Sequence, residues 1–246
     1  MNIVIDGKSC TCEPGEFLLE VARRNGIYIP TLCNHEGLLG QGCCRVCIVE
    51  VVERGWSKTV VSCIYPVLNE CEVHTNNEKI KQQRGIILRL LQKRAPQSEI
   101  IAALCKAYSA PALDKLNEKD GKCIICGLCV RACSTLGAGA IATVNRGITK
   151  EIAPPFNEPP ADCIGCGSCA RVCPTKAIEY HENETTRTVW EKTFTLVHCA
   201  SCGAQMGTQE ELNFAAEKAG TEPSTLCDAC RKKQLALVMA DVYSAT

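Results

Sequence analysis

Twenty-one of the 246 residues are cysteine, and their spacing sorts most of them into four sets that could bind metal. Cys33, Cys44 and Cys47 follow one another as C-x10-C-x2-C, and Cys63 lies fifteen residues beyond Cys47. Four thiolates can hold a [2Fe-2S] cluster, two to each iron. The loop that would wrap the inorganic sulfides carries Gly37, Gly40 and Gly42, residues that let backbone N–H groups approach sulfur. A zinc site is the competing reading, but a long glycine-rich first loop with a distant fourth cysteine suits a wrapped cluster better. Cys43 adjoins Cys44, and only Cys44 makes the C-x2-C step with Cys47.

Two further runs, Cys123, Cys126, Cys129, Cys133 and Cys163, Cys166, Cys169, Cys173, are both C-x2-C-x2-C-x3-C. This is the bacterial two-cluster arrangement, in which the fourth cysteine of each run ligates the other [4Fe-4S] cluster. The expected sets are therefore Cys123, Cys126, Cys129 and Cys173 for one, and Cys133, Cys163, Cys166 and Cys169 for the other. Pro174 follows the last cysteine, but Ser134 stands where the first run would have proline. Finally, Cys199, Cys202, Cys227 and Cys230 are spaced C-x2-C-x24-C-x2-C, two knuckles closing one tetrahedral site. Structural zinc is the first reading there, with a single iron or an additional cluster as alternatives, since thiolate-only sites accept each. His198 beside Cys199 reads as a bystander.

Five cysteines lie outside these sets: Cys10, Cys12, Cys43, Cys71 and Cys105. No basic stretch and apolar run of signal-peptide type opens the sequence, which argues for a reducing, cytoplasmic setting and against disulfides. There the five read as small buried apolar residues.

The elements that must position these thiolates are also legible. Ile3 and Ile5 alternate with Asn2 and Val4 before Asp6-Gly7, a hairpin signature, and Glu16–Arg24 reads as a helix burying Phe17, Leu18 and Val21, stopped at Asn25-Gly26. Two strands around Arg54-Gly55 would return Cys63 to the first set. A capping box at Thr75 and Glu78 opens an amphipathic helix with Ile80, Ile87, Leu90 and Leu91 on one face and Lys79, Lys81, Arg84 and Lys93 on solvated faces. Ala95-Pro96 interrupts it, and Ser98 caps a second helix whose apolar face holds Ile100, Ile101 and Leu104. Prolines 154, 155, 159 and 160, in the insert between the two four-iron runs, predict an extended, stiff segment. Thr208 and Glu211 predict another capping box, and Gly220 a helix stop.

Residues 1–75 resemble the β-grasp ferredoxin module that begins the iron–sulfur subunit of respiratory NADH dehydrogenase, the diaphorase iron–sulfur subunit of bidirectional nickel–iron hydrogenases, and [FeFe] hydrogenases. The resemblance extends to about residue 180 and includes the long insert. It breaks at residues 76–118, where those relatives carry a cluster bound by one His and three Cys and this chain has Cys105 alone and no histidine. That cluster is expected to be absent. The four-cysteine tail is similar to zinc-ribbon tails on some hydrogenase and formate-dehydrogenase subunits.

The expected fold is α+β: a β-grasp [2Fe-2S] module over 1–75, a helical bridge over 76–118, a bacterial two-[4Fe-4S] ferredoxin-like domain over 119–182 and a small zinc-ribbon-like tail over 190–246. The cofactors would be one [2Fe-2S], two [4Fe-4S] and one zinc. Equal numbers of basic and acidic residues, 27 each, and few aromatics argue against nucleic acid, and no apolar run is long enough for a membrane span. No dinucleotide or flavin motif, phosphate loop or nucleophile–base pair is present. The resemblance implies a non-catalytic electron relay in a cytoplasmic complex. Its partners would be a flavin-containing NAD(P)H-binding subunit and a hydrogenase, formate dehydrogenase or electron-bifurcating partner. A free multi-cluster ferredoxin is the alternative, and a regulatory or docking role for the tail is a third reading.

Overall fold

The computed structural model describes residues 1–244. Its first unit is a five-stranded mixed sheet. Strand β1 (Asn2–Ile5) and β2 (Lys8–Thr11) form a hairpin through Asp6 and Gly7, both at positive φ, as the sequence predicts. Helix α1 (Leu18–Arg24) is shorter than expected and buries Leu18, Leu19, Val21 and Ala22, whereas Phe17 stays outside it, 42% exposed. Strands β3 (Ile48–Glu53) and β4 (Trp56–Val61) turn at Arg54-Gly55, again with both residues at positive φ. Strand β5 (Glu72–His74), too short to announce itself in sequence, runs parallel to β1 and completes the order β2-β1-β5-β3-β4. Cys10, Cys12 and Cys71 fill the core beneath this sheet with Ile3, Ile5, Val49, Val51 and Val73.

Helix α2 (Glu78–Arg94) crosses against this unit, and its cap differs from the expected one. Asn77 accepts from the Ile80 amide, while Thr75 is buried and donates both its amide and its hydroxyl to the Asp6 carboxylate. The buried face runs through Ile80, Arg84 and Leu88, at i, i+4 and i+8. Arg84, expected in solvent, is fully buried, and Leu90, expected inside, is 45% exposed. The reason is polar: the Arg84 Nε donates to the Val46 carbonyl at 2.9 Å, and Nη2 donates to those of Ile48 and Thr75 at 2.6 and 3.0 Å. Helix α3 (Glu99–Ala107), capped by Ser98 as predicted, buries Ile101 and Cys105 but leaves Ile100 exposed.

The first four-iron run leads into α4 (Leu128–Leu136), and a small hairpin of β6 (Ala142–Val144) and β7 (Glu151–Ala153) follows. The proline-rich stretch beyond β7 is kinked rather than extended: a tight turn at Pro155–Asn157 holds Phe156 and Asn157 at positive φ. The second run leads into the shorter α5 (Ser168–Arg171). Then come β8 (Tyr180–Glu182), β9 (Thr186–Val189), β10 (Lys192–His198) and β11 (Gln205–Thr208), an antiparallel sheet in the order β11-β10-β9-β8 that the sequence reading did not anticipate. Helix α6 (Gln209–Ala219) starts at the Thr208 cap and stops at Gly220, both as predicted. The Glu211 carboxylate, however, completes no capping box and turns to Arg187 instead. Helix α7 (Asp228–Ser244) follows, with Leu235, Leu237, Val238 and Met239 exposed.

Candidate iron–sulfur and four-cysteine sites

Between Gln41 and Val46 the chain alternates outward and inward although it is not a strand, so Gly42, Cys44 and Val46 point in while Gln41, Cys43 and Arg45 point out. This corrects the reading of Cys43 as a buried apolar residue and separates it physically from Cys44. Cys33, Cys44, Cys47 and Cys63 are all buried. Two thiol pairs form: Cys44 donates to Cys33, and Cys63 donates to Cys47, so hydrogen bonding holds Cys33 and Cys47 down at about 6 against the upward pull of burial. Cys44 and Cys63, the donors, are pushed up by the same bonds and by burial. A Cβ on Gly40 would meet the Cys63 carbonyl at 2.8 Å, and one on Gly42 the Ile64 side chain at 2.7 Å, so the loop closes on Cys63 only because both lack one. Gly37 has no such role; its amide bonds the His35 ring. The donor set, four convergent thiols in two pairs, fits a [2Fe-2S] group.

Both four-iron runs use the same local device. The glycine after each second cysteine, Gly127 or Gly167, takes a left-handed conformation and opens the helix that carries the third cysteine. The two helices end differently. Pro174 follows Cys173, just beyond α5, whereas Ser134 lets α4 continue one turn past Cys133 to a left-handed Gly137. Burial raises Cys126 to about 11 and Cys129 to about 12, and the sulfurs whose charges act on them include Cys123 and Cys173. Burial likewise raises Cys163, and its charged neighbours include Cys166 and Cys133. The electrostatic neighbours thus group across the two runs, the fourth cysteine of each with the first three of the other. Cys133, Cys163, Cys166 and Cys169 line one cavity together with Ile141, Val189 and Trp190. The Trp190 Nε1 is buried there without a hydrogen-bond partner of ordinary geometry. An orphaned donor facing four thiols is what a sulfur-rich group would satisfy, so these residues fit a [4Fe-4S] cluster.

The second run is walled by the four-stranded sheet. Arg187 donates to the Gly165 carbonyl at 2.8 Å, Thr208 to that of Ile164, and the Lys192 ammonium to those of Pro160, Ala161 and Cys163 at 3.1, 2.9 and 3.0 Å. A Cβ on Gly165 would strike the Phe194 ring at 2.7 Å. Between the first two sites, Cys33, Cys44 and Cys126 share one buried apolar cluster with Leu32, Val46, Cys105 and Leu128. Cys33 is also among the charges acting on Cys126. From α4, Arg131 spans the junction by donating to the carbonyls of Leu39 and, at 3.0 Å, Cys33.

At the C-terminal site the Sγ atoms of Cys199, Cys202, Cys227 and Cys230 lie within 4.8 Å of one another, with Cys202 and Cys227 at 3.7 Å. A tetrahedral ion with metal–sulfur bonds of about 2.3 Å would separate its sulfurs by about 3.8 Å, so the cage fits a single ion. Backbone amides donate to the Cys199 sulfur, that of Cys227 first at 3.3 Å, and hold it at about 6. His198 is not part of this group among the described residues.

The comparisons bear on the first thiol set and on the second four-iron run. Residues 1–78 match the model of a 2Fe-2S iron–sulfur cluster binding domain, and residues 162–206 match that of a 4Fe-4S dicluster domain. The second match takes in the cysteine run together with the sheet that walls it, and the first four-iron run lies outside both. The chain thus carries two segments similar to iron–sulfur cluster binding domains. Among its relatives is the NADP-reducing hydrogenase subunit HndD of Solidesulfovibrio fructosivorans, 33% identical over 63% of this chain and 32% of that protein. Another is the NADH-ubiquinone oxidoreductase 75 kDa subunit of Reclinomonas americana, 29% identical over 62% of this chain and 26% of the relative. A solved structure of an NAD+-reducing [NiFe]-hydrogenase in the H2-reduced state superposes with a TM-score of 0.54 at 29% identity, covering 63% of this chain and 74% of the other. The chain is therefore similar to part of subunits of NADH-ubiquinone oxidoreductase and of an NADP-reducing hydrogenase, and it spans about a third or less of the length of the curated relatives it matches. No helix among the described residues is long and apolar enough to cross a membrane.

Proposed function

We propose that this chain is the electron-relay subunit of a cytoplasmic oxidoreductase. Cys33, Cys44, Cys47 and Cys63 would hold one [2Fe-2S] cluster; Cys123, Cys126, Cys129 and Cys173 a first [4Fe-4S]; and Cys133, Cys163, Cys166 and Cys169 a second. Bound clusters of these types supply one-electron exchange. The chain's own residues supply the rest: a dry path, fixed spacing and local dipoles. Cys199, Cys202, Cys227 and Cys230 would hold zinc as a structural clasp, since four protein thiolates leave no open position for a substrate.

The observation that carries this reading is the continuity between the sites. Cys33 and Cys126 share one buried cluster, and Cys129 and Cys169 share the next, with Ile141, Val189 and Phe194. Apolar packing thus runs from the first thiol set to the third, with no intermediate metal set required in the helical bridge. The relatives, subunits of an NADP-reducing hydrogenase and of NADH-ubiquinone oxidoreductase, support a nicotinamide-linked complex, in which the partners would be a flavin-containing NAD(P)H-binding subunit on one side and a hydrogenase, formate dehydrogenase or electron-bifurcating subunit on the other.

Anaerobic native purification from the host, with iron, sulfide, zinc and flavin quantified and subunits identified by mass, tests this. The expected outcome is about ten iron and one zinc on this chain, co-purifying with a flavoprotein and a second redox subunit. A monomer with the same metals would make it a free carrier, and a chain with little iron would defeat the relay reading.

A further inference from the structure

The β9–β10 hairpin reaches back over the second four-iron run. Its turn residues Trp190 and Glu191 both lie at positive φ, φ 53 and 59, a conformation that costs a non-glycine side chain energy and is held here by the sheet on either side. The result of that turn is specific. The Trp190 ring packs in the apolar cluster with Cys129, Cys169, Ile141 and Phe194, and its Nε1 is sealed from water in the cavity lined by Cys133, Cys163, Cys166 and Cys169. Two residues on, the Lys192 ammonium is held by three carbonyls, one of them that of Cys163. A donor and a cation thus converge on one thiol set. Among the described residues the first four-iron set has no indole or lysine counterpart of this pair; its sulfurs accept from the amides of Ile125 and Ala177, and the Thr175 hydroxyl lies 3.7 Å from the Cys173 sulfur.

We propose that Trp190 tunes the cluster held by Cys133, Cys163, Cys166 and Cys169: its indole N–H donates to the sulfur of Cys169 or an adjoining sulfide and, with the Lys192 charge, sets this cluster at a higher potential than its neighbour. Reduction adds negative charge to the sulfurs, and a donor or a cation fixed in a water-free pocket stabilises the reduced form more than the oxidised one. Trp190 is a positioning residue in this sense, acting on affinity for the electron rather than on a substrate. Electrons entering from the first thiol set would then collect at the set under the hairpin.

The inference rests on the cluster assignment, and one experiment separates the two. Full-length Trp190→Phe is loaded with iron and sulfide, its iron is counted, and each cluster is titrated by potentiometric EPR, with Cys126→Ser and Cys166→Ser variants assigning the two four-iron signals. Phenylalanine keeps the apolar body and removes the donor. The expected result is unchanged iron content, a potential for the second cluster lowered by about tenfold in electron affinity, equivalent to about 59 mV for a one-electron couple, and no movement in the other two. Lys192→Met should shift the same signal in the same direction. An unmoved second potential, or equal movement of both four-iron signals, overturns the tuning role while leaving the assignment intact. Wild-type protein with iron for only one four-iron cluster overturns the assignment and the tuning together. Should Trp190→Phe lose iron, deuteron ENDOR on the reduced wild-type protein after exchange in D2O decides: a strongly coupled deuteron on the second cluster that is slow to wash out supports the bond, and its absence refutes it.

Discussion

Replacing Arg84 with methionine isolates what a buried cation contributes when no carboxylate accompanies it. The side chain is 0% exposed, its guanidinium stacks 4.9 Å from the Tyr108 ring centre, and burial pulls its pKa below the ordinary value. Methionine would recover much of the packing and relieve the desolvation of the charge, a change that is often neutral when a whole ion pair is removed. Here only one side would be removed. The carbonyls of Val46, Ile48 and Thr75 would be left facing an apolar wall, and each unsatisfied buried acceptor costs about 1–3 kcal/mol. Relief of desolvation offsets part of that, so the net loss should be about 2–4 kcal/mol, a large fraction of a domain's stability. Because Val46 and Ile48 flank Cys47, the damage should appear at the first thiol set before the others. Anaerobic urea titration of the loaded protein, followed by the visible circular dichroism of the [2Fe-2S] chromophore, would measure it, and Arg84→Lys, which can still reach one or two of the carbonyls, should lose about half as much. A midpoint for Arg84→Met within about 0.5 kcal/mol of wild type would refute the argument, since that is the range of a surface substitution.

Three further outcomes are expected. Gly165→Ala places a methyl 2.7 Å from the Phe194 ring at φ +71, so it should release iron from the second four-iron set while the [2Fe-2S] circular dichroism persists. Ser134→Pro restores the residue usual after a fourth cysteine, yet should destabilise by about 3 kcal/mol in thermal denaturation, because position 134 lies inside α4 and proline would delete one of its hydrogen bonds. Glu50 is held at about 2, below its ordinary 4.5, by hydrogen bonds from Lys79, Ser57 and Asn77. A carboxylate with a depressed folded pKa stabilises fully above the unfolded value and loses that contribution as pH falls. The stability gap between wild type and Glu50→Gln should therefore be constant above about pH 5 and close between about 4.5 and 2 in urea titrations of the metal-free chain.

What could be read in the sequence was whatever depends on neighbours along the chain. The turns at Asp6-Gly7 and Arg54-Gly55 need positive φ in consecutive residues, and the caps at Ser98, Thr208 and Gly220 satisfy helix ends a few residues away, so composition alone points to them. The cysteine spacing similarly encodes a glycine-opened helix that follows two thiols. Long-range effects were hidden. Thr75 has the right residue type and offset for a cap, but Asp6, 69 residues earlier, claims it. Arg84 reads as solvated until three carbonyls from outside the helix converge on it. The sheet from Tyr180 to Thr208 was missed because its strands are short and interrupted, and with it went the role of Trp190, whose meaning depends on a cavity formed by residues up to 57 positions away.

The outward turn of Cys43 has a practical side. Its thiol is exposed and lies one residue from Cys44, on the solvent side of the loop that encloses the first thiol set. A maleimide linker or a gold surface could be attached there without entering the core, which would seat the protein on an electrode with its [2Fe-2S] end nearest the metal. The same molecule anchored instead through a cysteine introduced on α7 would present the four-cysteine site, whose Cys230 lies in that helix, so comparing the two attachments would turn the order of the sites along the chain into a measurable difference of current.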